Sequence, residues 1–225
     1  MNVGAFGSVM IMPRAVQLSQ PQHNTTPPPA PSWTKTLRVG DSGPAVSELQ
    51  QRLRSMGYAV DTGGTFTRET HHAVMAFQKV NGLIRDGIVG PQTRGALANP
   101  RQPDIGRGEA DRIVVDLSDQ VAYVVNNGRL DFIVNVSTGD PNHPDGLGVA
   151  TRKGTFRVYR RSAGTYHGTM GTIYWPAFFD GGIALHGSKS VPAYPASHGC
   201  VRVPMHLAER VYREATRGSQ VIVRD

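Results

Sequence analysis

The 225-residue chain has a single cysteine, Cys200. That excludes an intrachain disulfide and a four-cysteine zinc site. It leaves a buried inert thiol, an intermolecular bridge or a reactive nucleophile. No apolar run reaches the ~18 residues that a membrane-spanning helix needs, which excludes a helical membrane bundle. Aromatic residues are sparse at 7%, and acidic residues are outnumbered, 17 Asp+Glu against 24 Lys+Arg, leaving a formal charge of +7. A basic balance suits an anionic partner such as a nucleic acid, an anionic lipid surface or a cell-wall polymer. The basic residues are scattered, with no Lys/Arg block and no interleaved aromatics of the kind single-strand binders use, so nucleic acid is not expected. With 39% hydrophobic residues the chain is no disordered polyelectrolyte, and its length suits one large domain or two small ones.

Residues 1–36 differ from the rest. Val3 to Met12 is a short apolar stretch, and a polar tract then ends in Thr25-Thr26-Pro27-Pro28-Pro29-Ala30-Pro31. The apolar stretch has the length of a signal-peptide core, but no basic residue precedes it and no A-x-A site follows. The Pro-rich tract reads as an extended spacer, and 1–36 is expected to lack a fixed fold. Residues 37–98 carry helical periodicity. Gly43-Pro44 opens a helix with Val46, Leu49, Leu53 and Met56 on one face, closed by Gly57. Thr67 can cap a second helix burying Ala73, Val74, Phe77 and Val80, and Gly90-Pro91 opens a short third. So small a core suits a binding module rather than an enzyme. The order Val39-Gly40-Asp41-Ser42-Gly43, Leu49-Gln50, Thr70, Ala73-Val74, Phe77-Gln78, Gly82-Leu83, Asp86-Gly87, Val89-Gly90 and Thr93 resembles the three-helix peptidoglycan-binding domain. That resemblance implies cell-wall peptidoglycan as partner.

Residues 99–110 read as a linker, and from Asp111 the period becomes two. Ile113, Val115 and Leu117 alternate. Val121–Val125 and Leu130–Val136 flank Asn127-Gly128, a strong hairpin signal. Thr155–Arg160, Ile173–Trp175, Gly182–His186 and Gln220–Val223 extend the series, and one helix is expected after Pro204 with Leu207, Ala208, Val211 and Ala215 on its buried face. The fold expected is therefore α+β in two domains: a small three-helix bundle, then a mostly β domain over 111–225 with one flanking helix.

Reactive side chains gather near residue 200, in His186-Gly187-Ser188 and Ser197-His198-Gly199-Cys200-Val201-Arg202. A thiol attacks carbonyls as thiolate, so an imidazole must take its proton. His186 and His198 are both candidates. His198 points the same way as Cys200 if the segment is extended, and His186 ends a strand from which it can cross. Gly199 lets the backbone approach a carbonyl and frees nearby amides to act as an oxyanion hole. Arg202 could hold a carboxylate. Two histidines and a cysteine could also ligate zinc, but the one-residue spacing is unusual for a metal clip and no acidic fourth ligand is near, so no metal or cofactor is expected.

At these residues, and at Val136-Ser137-Thr138-Gly139 and Lys153-Gly154-Thr155-Phe156, the sequence resembles the L,D-transpeptidases with the YkuD-type catalytic domain. The resemblance implies Cys200 as nucleophile, His186 as general base oriented by the carbonyl of Gly187, and His198, Gly199 and Cys200 on the oxyanion side. It implies acyl transfer on peptidoglycan stem peptides, outside the membrane, by a protein expected to be monomeric. Ser197, Arg202, Tyr174 and Trp175 are substrate-binding candidates. His23, His71, His72, His143, His167 and His206 read as surface or structural residues. A non-catalytic docking protein is the rival reading, and the intact set around Cys200 argues against it.

Overall fold

The computed structural model describes residues 29–225, so the 3–12 stretch lies outside the described residues. The helical unit contains α1 (Pro44–Ser55), α2 (Arg68–Val80) and α3 (Pro91–Ala96). Proline stands in the first turn of α1 and of α3, where its missing N–H costs nothing. At α2 the Thr67 hydroxyl accepts from the amides of Glu69 (3.2 Å) and Thr70 (3.4 Å), satisfying two otherwise orphaned donors. Gly57 reverses the chain after α1 at φ 88°, a conformation a side chain disfavours. Two buried glutamines tie the turns. Gln50 binds Thr65 O and the amide of Gly64, and Gln78 binds Ile88 O and the amide of Gly87. Trp33 is buried in this core and the Ser32 amide donates to Glu48, so the helical unit includes residues upstream of the expected boundary at 37.

The second unit is two packed sheets. The first contains β1 (Arg112–Asp116), β2 (Val121–Asn126), β3 (Arg129–Asn135), β4 (Gly154–Arg157) and β10 (Gln220–Arg224), in the order β3-β2-β1-β10-β4. The second contains β5 (Arg160–Arg161), β6 (Thr165–Gly168), β7 (Gly171–Asp180), β8 (Ile183–Ser188) and β9 (Val201–Pro204), ordered β5-β7-β8-β9 with β6 paired to β7. Helix α4 (Met205–Glu214) follows Pro204 and lays Leu207, Ala208 and Val211 into the core between the sheets. The Asn127-Gly128 hairpin forms with φ 51° and 73°, the doubly positive geometry of a type I′ turn.

The structure departs from the sequence reading in some places and adds to it in others. The strand expected over 155–160 is two strands in different sheets: the amide of Val158 donates to Ser219 O and that of Tyr159 to Phe178 O, so the chain changes sheet between them. The first sheet is buried on both faces. Ile113 and Val115 face the second sheet, while Val114, Val121, Tyr123, Val125 and Ile133 share a core with Leu49, Leu53, Phe66 and Phe77 of the helical unit. The two units are therefore fused rather than strung on a linker. The segment after α1 also adds itself to the edge of β3, through Ala59 N to Ile133 O (3.2 Å) and Ile133 N to Gly57 O (2.8 Å). Finally, Lys79 of α2 is wholly buried, its Nζ donating to the carbonyls of Gln120 and Val136, both at 2.9 Å. The 99–110 segment has no helix or strand, and Asp104 pairs with Arg224 across it.

Candidate active site

The site stands where β8 and β9 run parallel. Leu185 faces Val201 and His186 faces Arg202 in the register. The amide of Ala184 donates to Cys200 Sγ at 3.4 Å, which places the thiol against β8 two residues before His186. Residues two apart share a strand face, so the side chains of Ala184 and His186 lie on the same side of β8. Cys200 is half-buried, and burial pushes its thiol up from the usual value, while the Ala184 amide and the Arg202 charge act the other way.

His186 is 6% exposed, and its Nδ1 lies 2.9 Å from Gly187 O. A carbonyl only accepts, so Nδ1 carries the proton and Nε2 keeps its lone pair. Burial lowers the imidazole to about 4, the Gly187 bond opposing and Arg202 reinforcing the shift, so His186 is neutral at pH 7. Arg202 thus disfavours a proton on the imidazole and favours charge on the sulfur with the same guanidinium. Gly187 is required by close packing: a Cβ there would lie 2.5 Å from Ala208 Cβ of α4.

The turn before Cys200 is braced from within. Ser197 is 1% exposed; its hydroxyl donates to Cys200 O (2.5 Å) and accepts from the amide of Gly199 (3.1 Å). Thr151 donates to Gly199 O at 2.6 Å, and Gly199 sits at φ 128° with a Cβ position only 2.6 Å from Ile183. Two expectations change here. The Ser197 hydroxyl spends its donor on Cys200 O as a brace of the turn, and the Gly199 amide is already engaged rather than free for an oxyanion.

His198 also differs from expectation. Residues 198–200 form a bend, so strand alternation does not carry through to Cys200. His198 Nε2 donates to Asp145 Oδ2 (2.6 Å), and its ring centroid lies 4.0 Å from that of His143. The His198 bond, the Leu147 amide and His143 hold the Asp145 carboxyl well below the usual carboxylate range. Of the aromatic candidates, Tyr174 is half-buried and faces Gly187 in the β7–β8 register. Trp175, half-buried, occupies φ 52° at an irregularity in β7 and packs on Tyr212 (centroids 5.1 Å apart). Sequence reasoning missed Asp145, Thr151 and the Ala184 amide: the first two lie in irregular chain with no periodicity, and a backbone donor has no sequence signal.

The L,D-transpeptidase catalytic domain matches residues 110–223, and the peptidoglycan binding domain matches 42–97. A crystal structure of an L,D-transpeptidase from Xylanimonas cellulosilytica is 37% identical, covering 88% of this chain and all of that one, with a TM-score of 0.78. Shorter similarity runs to an N-acetylmuramoyl-L-alanine amidase of Bacillus licheniformis (43% over 65 residues) and a zinc D-Ala-D-Ala carboxypeptidase of Streptomyces albus G (42% over 65 residues). The shared segment is 28% of this chain in both, and 18% and 26% of those proteins, so the chain spans about a quarter or less of these curated relatives. With the thiol in the bend just before β9, the neutral imidazole and the glycine carbonyl on β8, and the catalytic-domain match covering half the sequence, this chain belongs to the L,D-transpeptidases of the YkuD type.

Proposed function

We propose that the chain catalyses cysteine-dependent acyl transfer on peptidoglycan stem peptides outside the membrane. The observation that carries this is the half-buried thiol held by the amide of Ala184, with an imidazole two residues along the same strand whose Nδ1 is committed to Gly187 O, leaving Nε2 as the acceptor nitrogen. In the first step Sγ–H gives its proton to His186 Nε2 as the sulfur bonds the carbonyl carbon of the third stem residue. The tetrahedral adduct collapses by breaking the C–N bond. The imidazolium protonates the leaving amine, so the terminal D-Ala departs and a thioester remains on Cys200. In the second step the side-chain amine of another stem attacks the thioester and passes a proton through His186. The thiol returns and a 3→3 crosslink forms. Water in place of that amine makes the same site an L,D-carboxypeptidase. Arg202 and Tyr174 are the side chains proposed to meet the peptide, and the helical unit is proposed to hold the enzyme on its polymer.

The test is mass spectrometry of muropeptides after incubation with a disaccharide tetrapeptide. Crosslinked dimers together with free D-Ala are expected; tripeptides alone would make the chain a hydrolase, and unchanged substrate would make it a docking protein.

A further inference from the structure

The loop between β3 and β4 is fastened at both ends to the turn that precedes Cys200. Near its start the amide of Asp140 donates to Ser197 O (2.8 Å), and near its end Thr151 donates to Gly199 O. Between these anchors the loop sends two side chains back to the same turn. His143 Nδ1 donates to Asp145 Oδ1 (2.7 Å) and His198 Nε2 to Asp145 Oδ2 (2.6 Å), so one carboxylate stands between two imidazoles. One ligand atom from each of the three residues lies within 4.8 Å of the others. The acyl-transfer steps use neither His143 nor Asp145.

We propose that His143, Asp145 and His198 form a site for a divalent first-row transition cation, with zinc(II) as its fitting probe, that clips this loop to the turn before the nucleophile. Two imidazole nitrogens and one carboxylate oxygen, completed by water, make the donor set such a cation takes tetrahedrally. Ligand atoms on one zinc stand about 3.4 Å apart, a spacing the three side chains on and beside the exposed loop can reach by small adjustment. The two anchored ends have already closed the loop, so little ordering is left for the ion to impose. The amide of Leu147 donates to Asp145 Oδ1 (3.0 Å) and orients the carboxylate. The ion replaces the two N–H···O bonds and stands outside the thiol–imidazole chemistry, so it acts on the loop and takes no part in bond making.

Isothermal titration of the tag-free chain with zinc chloride tests this, using the wild type, Cys200→Ser, His143→Ala and Asp145→Asn. One saturable equivalent is expected in the wild type and in Cys200→Ser, with affinity weakened about tenfold or more in His143→Ala and in the isosteric Asp145→Asn. Both changes lie on an exposed loop, and circular dichroism checks that the variants keep their fold. The proposal is overturned by the absence of saturable binding, by loss of binding in Cys200→Ser, or by undiminished binding in the two loop variants.

Discussion

Burial disfavours the charged form of both His186 and Cys200, lowering the imidazole and raising the thiol, so both remain neutral at pH 7. Proton transfer then accompanies attack instead of preceding it, which fixes the expected pH profile. Acylation by a carbapenem, whose lactam carbonyl mimics the scissile amide, should hold steady from neutrality downward. It should fall only as pH drops through about 4, where Nε2 takes a proton and can no longer accept one. Stopped-flow rates between pH 3 and pH 8 check this, and a fall centred near the ordinary histidine value of about 6.5 would contradict it. In His186→Ala the rate at pH 7 should drop by roughly a hundredfold or more and recover in part toward pH 9, since the thiol must ionise unaided. His198→Ala should show no such alkaline rescue, because its contacts are with Asp145 and His143. Residue type and neighbouring glycines single out Cys200, His186 and His198 in the sequence, and it is the family resemblance that chooses His186 as the base. The bend at 198–200 is not legible there, because it depends on Gly199 taking φ 128° beneath Val149 and Ile183.

At the level of elements, the site depends on α4 lying flat on β8. Gly187 permits that contact: a methyl group there would meet Ala208 Cβ at 2.5 Å and Met205 Sδ at 3.2 Å. Gly187→Ala should therefore cost about 1–3 kcal/mol by overpacking and should slow acylation by tilting β8. Thermal denaturation and carbapenem mass uptake measure the two effects, and an unchanged melting temperature would show that α4 yields freely. The helices and the hairpin were readable because their signals are local: Thr67 before α2, proline within the first turn, Asn127-Gly128 between alternating runs. The double burial of β1 was not. Ile113-Val114-Val115 scans equally well as alternation or as a continuous apolar run, and only the position of the helical unit decides which. The change of sheet at Val158-Tyr159 is likewise set by two distant carbonyls.

Over the whole molecule, the helical unit completes the catalytic fold. Cutting away 29–98 would uncover Val114, Tyr123, Val125 and Ile133, each fully buried large side chain being worth about 1.5–3 kcal/mol. The remaining fragment is expected to be insoluble or molten, with exposed apolar surface that binds a hydrophobic dye; a soluble, cooperatively melting 99–225 fragment would refute this. Lys79 gives a second handle. A neutral amine has two N–H groups, and two carbonyls receive them. Burial lowers this lysine from 10.5 to about 6, so between those values the unfolded chain binds a proton that the folded one does not, and stability rises with pH across that window. Lys79→Met removes the term. The stability of the wild type relative to the variant should therefore grow from pH 6 to pH 9 in paired denaturant titrations, and parallel curves would mean that the amine stays charged.

The parallel pairing of β1 with β10 also bears on how the chain comes to be folded. Arg112 meets Gln220, and β10 fills the slot between β1 and β4. A ribosome must add more than a hundred residues after β1 before that slot can be filled, and until then β1 and its hairpin present an unpaired apolar edge. Contacts so remote in sequence form slowly, so closure of this sheet is a late event in folding. His186 and Cys200 are thus both synthesised before the first sheet can close.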